Sequence, residues 1–214
     1  SLNNEYIDLA TGQQVAIPPS LLISALWIVP DIENACTMDL KASGDLLYLL
    51  GVTRKELGGS YYYRLQGVQG NSVPEAAEAG PATARAVHRA LAGGLTRACH
   101  DCSEGGLAVA LSEMALAGRK GDTVDLDRIA AAHAVADEEE IADDWLLFSE
   151  SNGRYVVEVT PEDRERFEAL CSGIPFACIG QVSTRPDLIV HSVDGGEQLF
   201  ALSVDVLHDA WRGH

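Results

Sequence analysis

The chain has 214 residues, of which 47% are apolar and 22% are charged, proportions that predict a soluble globular protein with one sizeable core, or one domain plus a piece of another. Its formal net charge of −17 excludes a nonspecific nucleic-acid binder, because contacts to phosphate need lysine and arginine. No apolar run reaches the length of a membrane span, and no basic segment precedes an apolar one at the N-terminus, so we expect a cytoplasmic protein without a membrane partner.

The first 29 residues combine a polar start with a long apolar run. Residues 1–14 are polar, and residues 15–29 form a β-leaning apolar run that is interrupted by two prolines. A strand this apolar needs cover on both of its faces. We therefore expect residues 1–29 to be the tail of a domain that begins outside this chain. If that strand is exposed, it predicts self-association, for example as a homodimer.

A second domain is expected over residues 30–214, after an acidic junction. Residues 45–51 predict a buried strand that glycine closes. Thr53 is expected to cap a short helical turn, with Glu56 completing a capping box. The Gly-Gly-Ser sequence at 58–60 either cradles an anion or forms a loop that needs positive φ, and we favour the loop.

Helices and strands alternate through the rest of the chain. The periodicity predicts helices over residues 81–91, 107–118, 126–134, 141–147, 161–171 and 204–211. It predicts a strand ending at Asp101 and further strands over residues 155–159, 176–182, 188–193 and 198–202. This order indicates an α/β (α+β) fold, in which a layered mixed β-sheet packs against helices.

The five cysteines indicate reduced thiols rather than a disulfide framework. They are odd in number and lie in otherwise apolar segments. Cys99 and Cys102 have the spacing of a C-x-x-C pair, but no second pair completes a tetrahedral zinc site. Side chains at this spacing in a strand point to opposite faces, so we favour a packing role.

The most informative stretch runs from the predicted strand at Asp101 into the following helix. Gly105 and Gly106 permit positive φ and close approach of a ligand, and the first N–H groups of a helix favour an anion such as phosphate. Asp101 and Glu104 lie beside this turn, so a cation could bridge them to the anion. Equally, Ser103 could simply be the N-cap of the helix, with the glycines present for packing.

Five segments together resemble the formylglycinamidine ribonucleotide synthetase family of purine biosynthesis. They are residues 1–6, 17–24, 53–60, 100–111 and 147–154. The chain resembles the C-terminal part of the synthetase subunit, within the superfamily related to aminoimidazole ribonucleotide synthetase. The resemblance implies that residues 1–29 end the second A domain and that residues 30–214 form the second B domain, with a fold like the C-terminal domain of aminoimidazole ribonucleotide synthetase.

The resemblance also implies an ATP-dependent carbon–nitrogen ligase. The family converts formylglycinamide ribonucleotide, ATP and ammonia from glutamine to the amidine, ADP and phosphate, with Mg²⁺ shielding the phosphates. The implied partners are the N-terminal portion of the same enzyme, a glutaminase subunit that supplies ammonia, and the nucleotide substrate. The family's catalytic histidine and ATP lysine have no counterpart in this sequence, so we expect no catalytic residue here and an inactive isolated chain.

Several site residues follow from the resemblance alone. Ser1 matches a serine that touches substrate. Asp101 matches, through the internal repeat of the family, an aspartate that holds Mg²⁺. Glu150, Ser151 and Asn152 match a Glu-Ser-Gln sequence that contacts substrate, with Asn in place of Gln. Asp101 is thus the predicted metal ligand. The predicted substrate- or phosphate-binding set consists of the other matched residues together with the turn: Ser1, Ser103, Gly105, Gly106, Glu150, Ser151 and Asn152.

Two other interpretations stay open. The chain could be a domain of a related synthetase or kinase of the same superfamily, although residues 3–5 and 53–60 favour the first family. It could instead be a non-catalytic interaction domain in which the Gly-Gly turn only packs.

Overall fold

The chain divides into two compact units, residues 1–33 and residues 34–214. The computed structural model describes residues 5–16, 22–29, 31–70, 72–131 and 142–213. The first unit contains an antiparallel hairpin of β1 (Glu5–Ile7) and β2 (Gln14–Ala16). The backbone N–H of Asp8 donates to the carbonyl of Gln13 at 2.9 Å and closes the hairpin.

The strand predicted over residues 15–29 is correct only at its start. Residues 22–29 have no regular secondary structure, and their apolar side chains are exposed, including Leu26 at 96% and Trp27 at 87%. A strand needs a partner for its backbone N–H and C=O groups. Within the described part of residues 15–29, only the end of strand β2 is paired, and its partner strand is β1.

The second unit is built on a seven-stranded mixed sheet with the order β4-β6-β3-β7-β5-β8-β9. Its strands are β3 (Leu46–Leu50), β4 (Ala98–Asp101), β5 (Asp122–Asp125), β6 (Tyr155–Val159), β7 (Phe176–Val182), β8 (Asp187–His191) and β9 (Gln198–Ser203). Neighbouring strands are antiparallel except for β5 and β8, which are parallel. The predicted layered mixed sheet is therefore confirmed.

Seven α-helices are described in the second unit. They are α1 (Tyr61–Gln66), α2 (Gly80–Ala92), α3 (Gly106–Gly118), α4 (Asp127–Ala131), α5 (Asp143–Phe148), α6 (Arg164–Cys171) and α7 (Val204–Arg212). The α6 helix follows a 3₁₀ turn that Thr160 caps, since the Thr160 hydroxyl accepts the N–H of Asp163 at 3.1 Å. Pro161 opens that turn, as the sequence predicts.

The central strand β3 is covered on both faces. Leu47 and Leu49 belong to the large core that includes α3, α5 and the start of α7. Tyr48 and Leu50 belong to a second core, formed with α2 and α6. Five consecutive apolar residues are therefore accounted for by alternation between two helical layers.

One local expectation is wrong, and the prediction omits the strand β5 and the helix α1. Residues 53–57 contain no helical turn, because the groups expected to form the capping box bind elsewhere: the Thr53 hydroxyl accepts from Arg154, and the Glu56 carboxylate accepts the N–H of Glu75 at 3.1 Å. The sequence pattern does not predict strand β5, because Val124 is the one apolar residue between Asp122 and Asp125. It nevertheless pairs with both β7 and β8.

A buried carboxyl pair joins the segment before β3 to strand β6. Glu158 accepts the backbone N–H groups of Lys41 and Ala42 at 2.8 and 2.9 Å, and Asp45 lies beside it. Arg97 Nε lies 3.3 Å from Asp45 Oδ2 as an ion pair without hydrogen-bond geometry. Burial chiefly, together with Asp45, raises the pKa of Glu158 to about 7, against the opposing effect of the two N–H donors.

Candidate functional site

The turn between β4 and α3 fits tightly against the segment that leaves α5. Gly105 and Gly106 both have positive φ, 79° and 65°. A Cβ on Gly106 would meet the carbonyl oxygens of Ser149 and, at 2.8 Å, Leu147. Glycine is required at position 106 for two reasons, the positive φ of the backbone and the close approach of these carbonyl oxygens.

Glu150 ties this turn to the start of α1. Its Oε1 accepts the backbone N–H of Gly105 at 2.8 Å and that of Tyr61 at 3.2 Å. The N–H of Gly106 donates to the carbonyl of Ser103 at 3.0 Å. Both glycine N–H groups therefore already have acceptors within the protein, so they are not available as donors to a phosphate.

Asp101 and Ser103 form a polar pair at the end of β4. The Ser103 hydroxyl donates to Asp101 Oδ2, so Ser103 is not the N-cap of α3; that position belongs to Gly105, and no side chain caps the helix. The hydrogen bond from Ser103 chiefly, with the nearby His100, lowers the pKa of Asp101. Asp101 is therefore an ionised carboxylate, and its side chain is 60% exposed.

A buried arginine holds the floor of the site. Arg154 donates through Nε to the carbonyl of Ser151 at 3.1 Å, through Nη1 to the Thr53 hydroxyl at 3.1 Å, and through Nη2 to the carbonyl of Ser149. Burial lowers the pKa of Arg154, while nearby ionisable groups that include Glu56 oppose that shift. The buried guanidinium therefore donates hydrogen bonds to two loop carbonyl groups and one hydroxyl group, and it fixes the positions of these loops.

The remaining predicted residues have separate surroundings. The Ser151 side chain is buried and accepts the N–H of Arg54 at 3.0 Å. Asn152 is exposed, and its Nδ2 donates to the carbonyl of Glu75 at 2.8 Å. Ser1 lies outside the described residues.

These elements surround an open cavity of about 390 Å³. Its polar lining includes Asp101, Ser103, Glu104, Glu150, Asn152 and Arg154. The fold thus brings four of the eight predicted site residues into one lining, from two segments almost fifty residues apart in sequence: Asp101, Ser103, Glu150 and Asn152. Arg154 was missed as a site residue, although it ends the segment 147–154; an arginine among small and polar residues was its only signal.

The carboxylate oxygens in this cavity are suitable ligands for a hard cation such as Mg²⁺, with a phosphate of the bound ligand supplying further oxygen ligands. Among the residues that the structure describes, no three His, Cys, Asp or Glu side chains converge as a complete metal cage. Mg²⁺ does not need one, since it is commonly bound by one or two carboxylates, water and substrate phosphates. Asp101 and Glu104 are the exposed carboxylates available for that role, because Glu150 is already bonded to two backbone N–H groups.

The cysteine pair beside the turn does not resemble a reactive or metal-binding site. Burial, with smaller effects of neighbouring ionisable groups, raises the pKa of Cys99 to about 12, and burial raises that of Cys102 to about 11. Both are therefore neutral thiols near neutral pH, whereas the thiolate is the form that attacks or binds metal.

In the described part of the chain, no helix is both long enough and apolar enough to cross a membrane.

A family model described as "AIR synthase related protein, C-terminal domain" matches residues 42–192. The chain is 37% identical over 201 residues to "Phosphoribosylformylglycinamidine synthase subunit PurL" of Moorella thermoacetica, an alignment that covers 92% of this chain and 26% of the relative. The chain therefore spans about a quarter of the length of this relative.

Solved structures share the fold at lower identity. "T. maritima PurL complexed with FGAR" aligns with a TM-score of 0.69 and 21% identity, over 82% of this chain and 29% of that one. "T. maritima PurL complexed with ATP" aligns with a TM-score of 0.64 and 19% identity, over 82% and 27% of the two chains. At these identities the likeness establishes the fold alone.

Proposed function

Because the chain belongs to the AIR synthase-related family, of which it carries the C-terminal domain, we propose that it is the C-terminal part of a phosphoribosylformylglycinamidine synthase. The complete enzyme converts formylglycinamide ribonucleotide, ATP and ammonia derived from glutamine to formylglycinamidine ribonucleotide, ADP and phosphate. The identity of 37% to a PurL subunit over 92% of this chain supports this assignment. Residues 1–29 then end the second A domain, and residues 30–214 form the second B domain.

The observation that carries the proposal is the cavity at the turn between β4 and α3. Its carboxylates would repel a phosphate directly, so a phosphorylated ligand enters with a cation. Asp101 holds Mg²⁺ through its exposed, ionised carboxylate, and Ser103 orients that carboxylate by its hydrogen bond. When bound, Mg²⁺ supplies charge neutralisation of the phosphates.

The other predicted residues act mainly by shaping the cavity. Glu150 fixes the Gly105 turn against α1, and Ser151 and Arg154 fix the loop that carries it. Asn152 has an exposed amide at the rim and contacts the ligand. No residue of this chain performs the chemical step, so the isolated chain is inactive.

The proposed partners supply what this chain lacks. The N-terminal portion of the enzyme provides the ATP-binding machinery, and a glutaminase subunit provides ammonia. We place the reaction in the cytoplasm.

The test is ADP release with formylglycinamide ribonucleotide, ammonium, ATP and Mg²⁺, measured for the chain alone and after mixing with the separately expressed N-terminal portion. We expect activity only in the mixture. Asp101→Asn should lower the activity of the mixture by more than tenfold, as expected for loss of a charged ligand interaction. Glu197→Gln, at an exposed turn between β8 and β9, is the matched control and should leave activity unchanged.

A second candidate is a non-catalytic interaction domain, and one observation favours it: the N–H groups of Gly105 and Gly106 already have protein acceptors. In that case the turn serves packing only. A folded, associated mixture that stays inactive, together with Mg²⁺-nucleotide binding that Asp101→Asn does not change, would overturn the synthetase proposal in favour of this one.

A further inference from the structure

A separate slot lies between the segment before β3, helix α3 and helix α7. Its volume is about 280 Å³, just below the range of about 300–1,000 Å³ typical of small-molecule pockets. It is lined by Met38, Glu113, Leu116, Ala117, His208 and Trp211. None of these residues lines the cavity described above.

The slot exists because α7 covers α3 only in part. Val204, at the first turn of α7, is buried in the main core. An ion pair between Arg119 Nη2 and Asp205 Oδ1 at 2.8 Å joins the end of α3 to that same turn. By its last turn α7 no longer buries its aromatic residue, and Trp211 is 70% exposed.

Glu113 supplies the one carboxylate in the lining of the slot, and only one of its two oxygens has a hydrogen-bond partner among the described residues. Glu113 Oε2 lies 2.7 Å from His100 Nε2. Glu113 Oε1 makes no hydrogen bond to any residue that the structure describes, and the side chain is 39% exposed. A carboxylate oxygen that lacks a partner can accept a hydrogen bond from a charged donor, which is stronger than one between neutral groups.

The indole of Trp211 complements that acceptor. The face of an indole attracts a cation through its quadrupole, more strongly than that of tyrosine or phenylalanine. Met38 and Leu116 add apolar contact surface, and methionine sulfur contacts aromatic rings favourably. A carboxylate, an indole and an apolar wall select a cation that carries an apolar body.

We propose that this slot binds a small organic cation with a flat apolar body, of the arylamidinium or arylammonium class. The cation pairs with Glu113 Oε1, and its ring lies between Trp211 and the apolar wall formed by Met38 and Leu116. Anionic ligands such as phosphates are disfavoured, because the lining contains the Glu113 carboxylate and, apart from His208, no basic side chain. The site is independent of the proposed synthetase reaction.

The probe is benzamidine, titrated into the 214-residue chain by isothermal calorimetry, with neutral benzamide as the matched ligand. Benzamidine should bind with one site per chain, and benzamide at least about tenfold more weakly, because it lacks the charge that pairs with Glu113. Glu113→Gln should weaken benzamidine binding about tenfold or more for the same reason. Trp211→Leu should weaken it about threefold or more through loss of the cation–π contact.

The control variant is Glu197→Gln, which removes an exposed carboxylate outside the slot and should not change binding. Absence of saturable binding to the wild-type chain would overturn the proposal. So would equal binding of benzamidine and benzamide, a comparison that needs no variant and is unaffected by folding defects. Equal affinities of the wild-type chain and a folded Glu113→Gln variant would assign any observed binding to another place.

Discussion

Replacing Glu158 by glutamine should make the stability of the chain depend less on pH. In the wild-type chain, the folded state favours a proton on Glu158, because the carboxyl is buried next to Asp45. A glutamine Oε1 can still accept both N–H groups, because Glu158 Oε1 accepts that of Lys41 at 3.1 Å and that of Ala42 at 2.9 Å. Its Nε2 can donate to Asp45 at every pH, in place of the proton that the carboxyl loses.

The sign follows from proton uptake. The pKa of Glu158 rises from an ordinary 4.5 to about 7 on folding, so between these values the folded state binds more protons than the unfolded state. Its contribution to stability is fully present below about pH 4.5 and is lost as pH rises toward 7. At about 1.4 kcal/mol per pKa unit the ceiling is about 3 kcal/mol. Because relaxation of the protein and water penetration lower the cost of a buried charge, we expect about 1–2 kcal/mol of this ceiling.

The measurement is urea unfolding followed by circular dichroism between about pH 5 and pH 8. The free energy of unfolding of Glu158→Gln, relative to the wild type, should rise by about 1–2 kcal/mol across that interval. Glu197→Gln removes an exposed carboxylate and should show no such rise. A difference between wild type and Glu158→Gln that stays constant with pH would refute the argument that the buried carboxyl carries the proton.

Other substitutions test the site. Gly106→Ala should destabilise the chain by about 2–4 kcal/mol in thermal or urea unfolding, since it combines positive φ with a clash against the Ser149 carbonyl. Gly173→Ala, where a Cβ meets open space, should change stability by less than about 1 kcal/mol; equal losses would contradict the close approach. Arg154→Met should cost about 3 kcal/mol or more in the same measurement, because three buried acceptors lose their donor; a neutral result would remove Arg154 as organiser. Asp101→Asn should leave the melting temperature within a few degrees, because the side chain is largely exposed, and should weaken Mg²⁺-dependent nucleotide binding; a large loss of stability would indicate a structural role instead.

Much of the fold could be predicted because its strongest patterns are local. The continuous apolar run of β3 and the Thr160-capped turn that leads into α6 depend on neighbours in sequence, and both are present. Pairing at a distance is not encoded in that way. The short strand β5 is recognisable only once β7 and β8 lie on either side of it, and residues 22–29 have the composition of a strand but no partner in the described part of their unit.

The membership of the candidate site could be predicted better than the role of each residue. Resemblance and glycine spacing located two of the three segments that line the cavity, and missed the one that contains Pro74. They did not reveal that Ser151 is buried against the backbone of Arg54, nor that Ser103 bonds Asp101 instead of capping α3. Those assignments depend on the direction of a side chain after folding, which spacing alone does not determine.

Glu150 shows why this difference matters for function. From the sequence, a carboxylate in a segment that lines a ligand cavity is expected to contact the ligand. Glu150 Oε1 instead accepts two backbone N–H groups from elements far apart in sequence, those of Gly105 and Tyr61. Removing the charge would release the turn and α1 together, so loss of ligand binding in a Glu150 variant would not by itself demonstrate contact with the ligand. Asp101 provides the cleaner test, because its carboxylate faces solvent and its side-chain partners among the described residues, Ser103 and His100, lie within two residues of it.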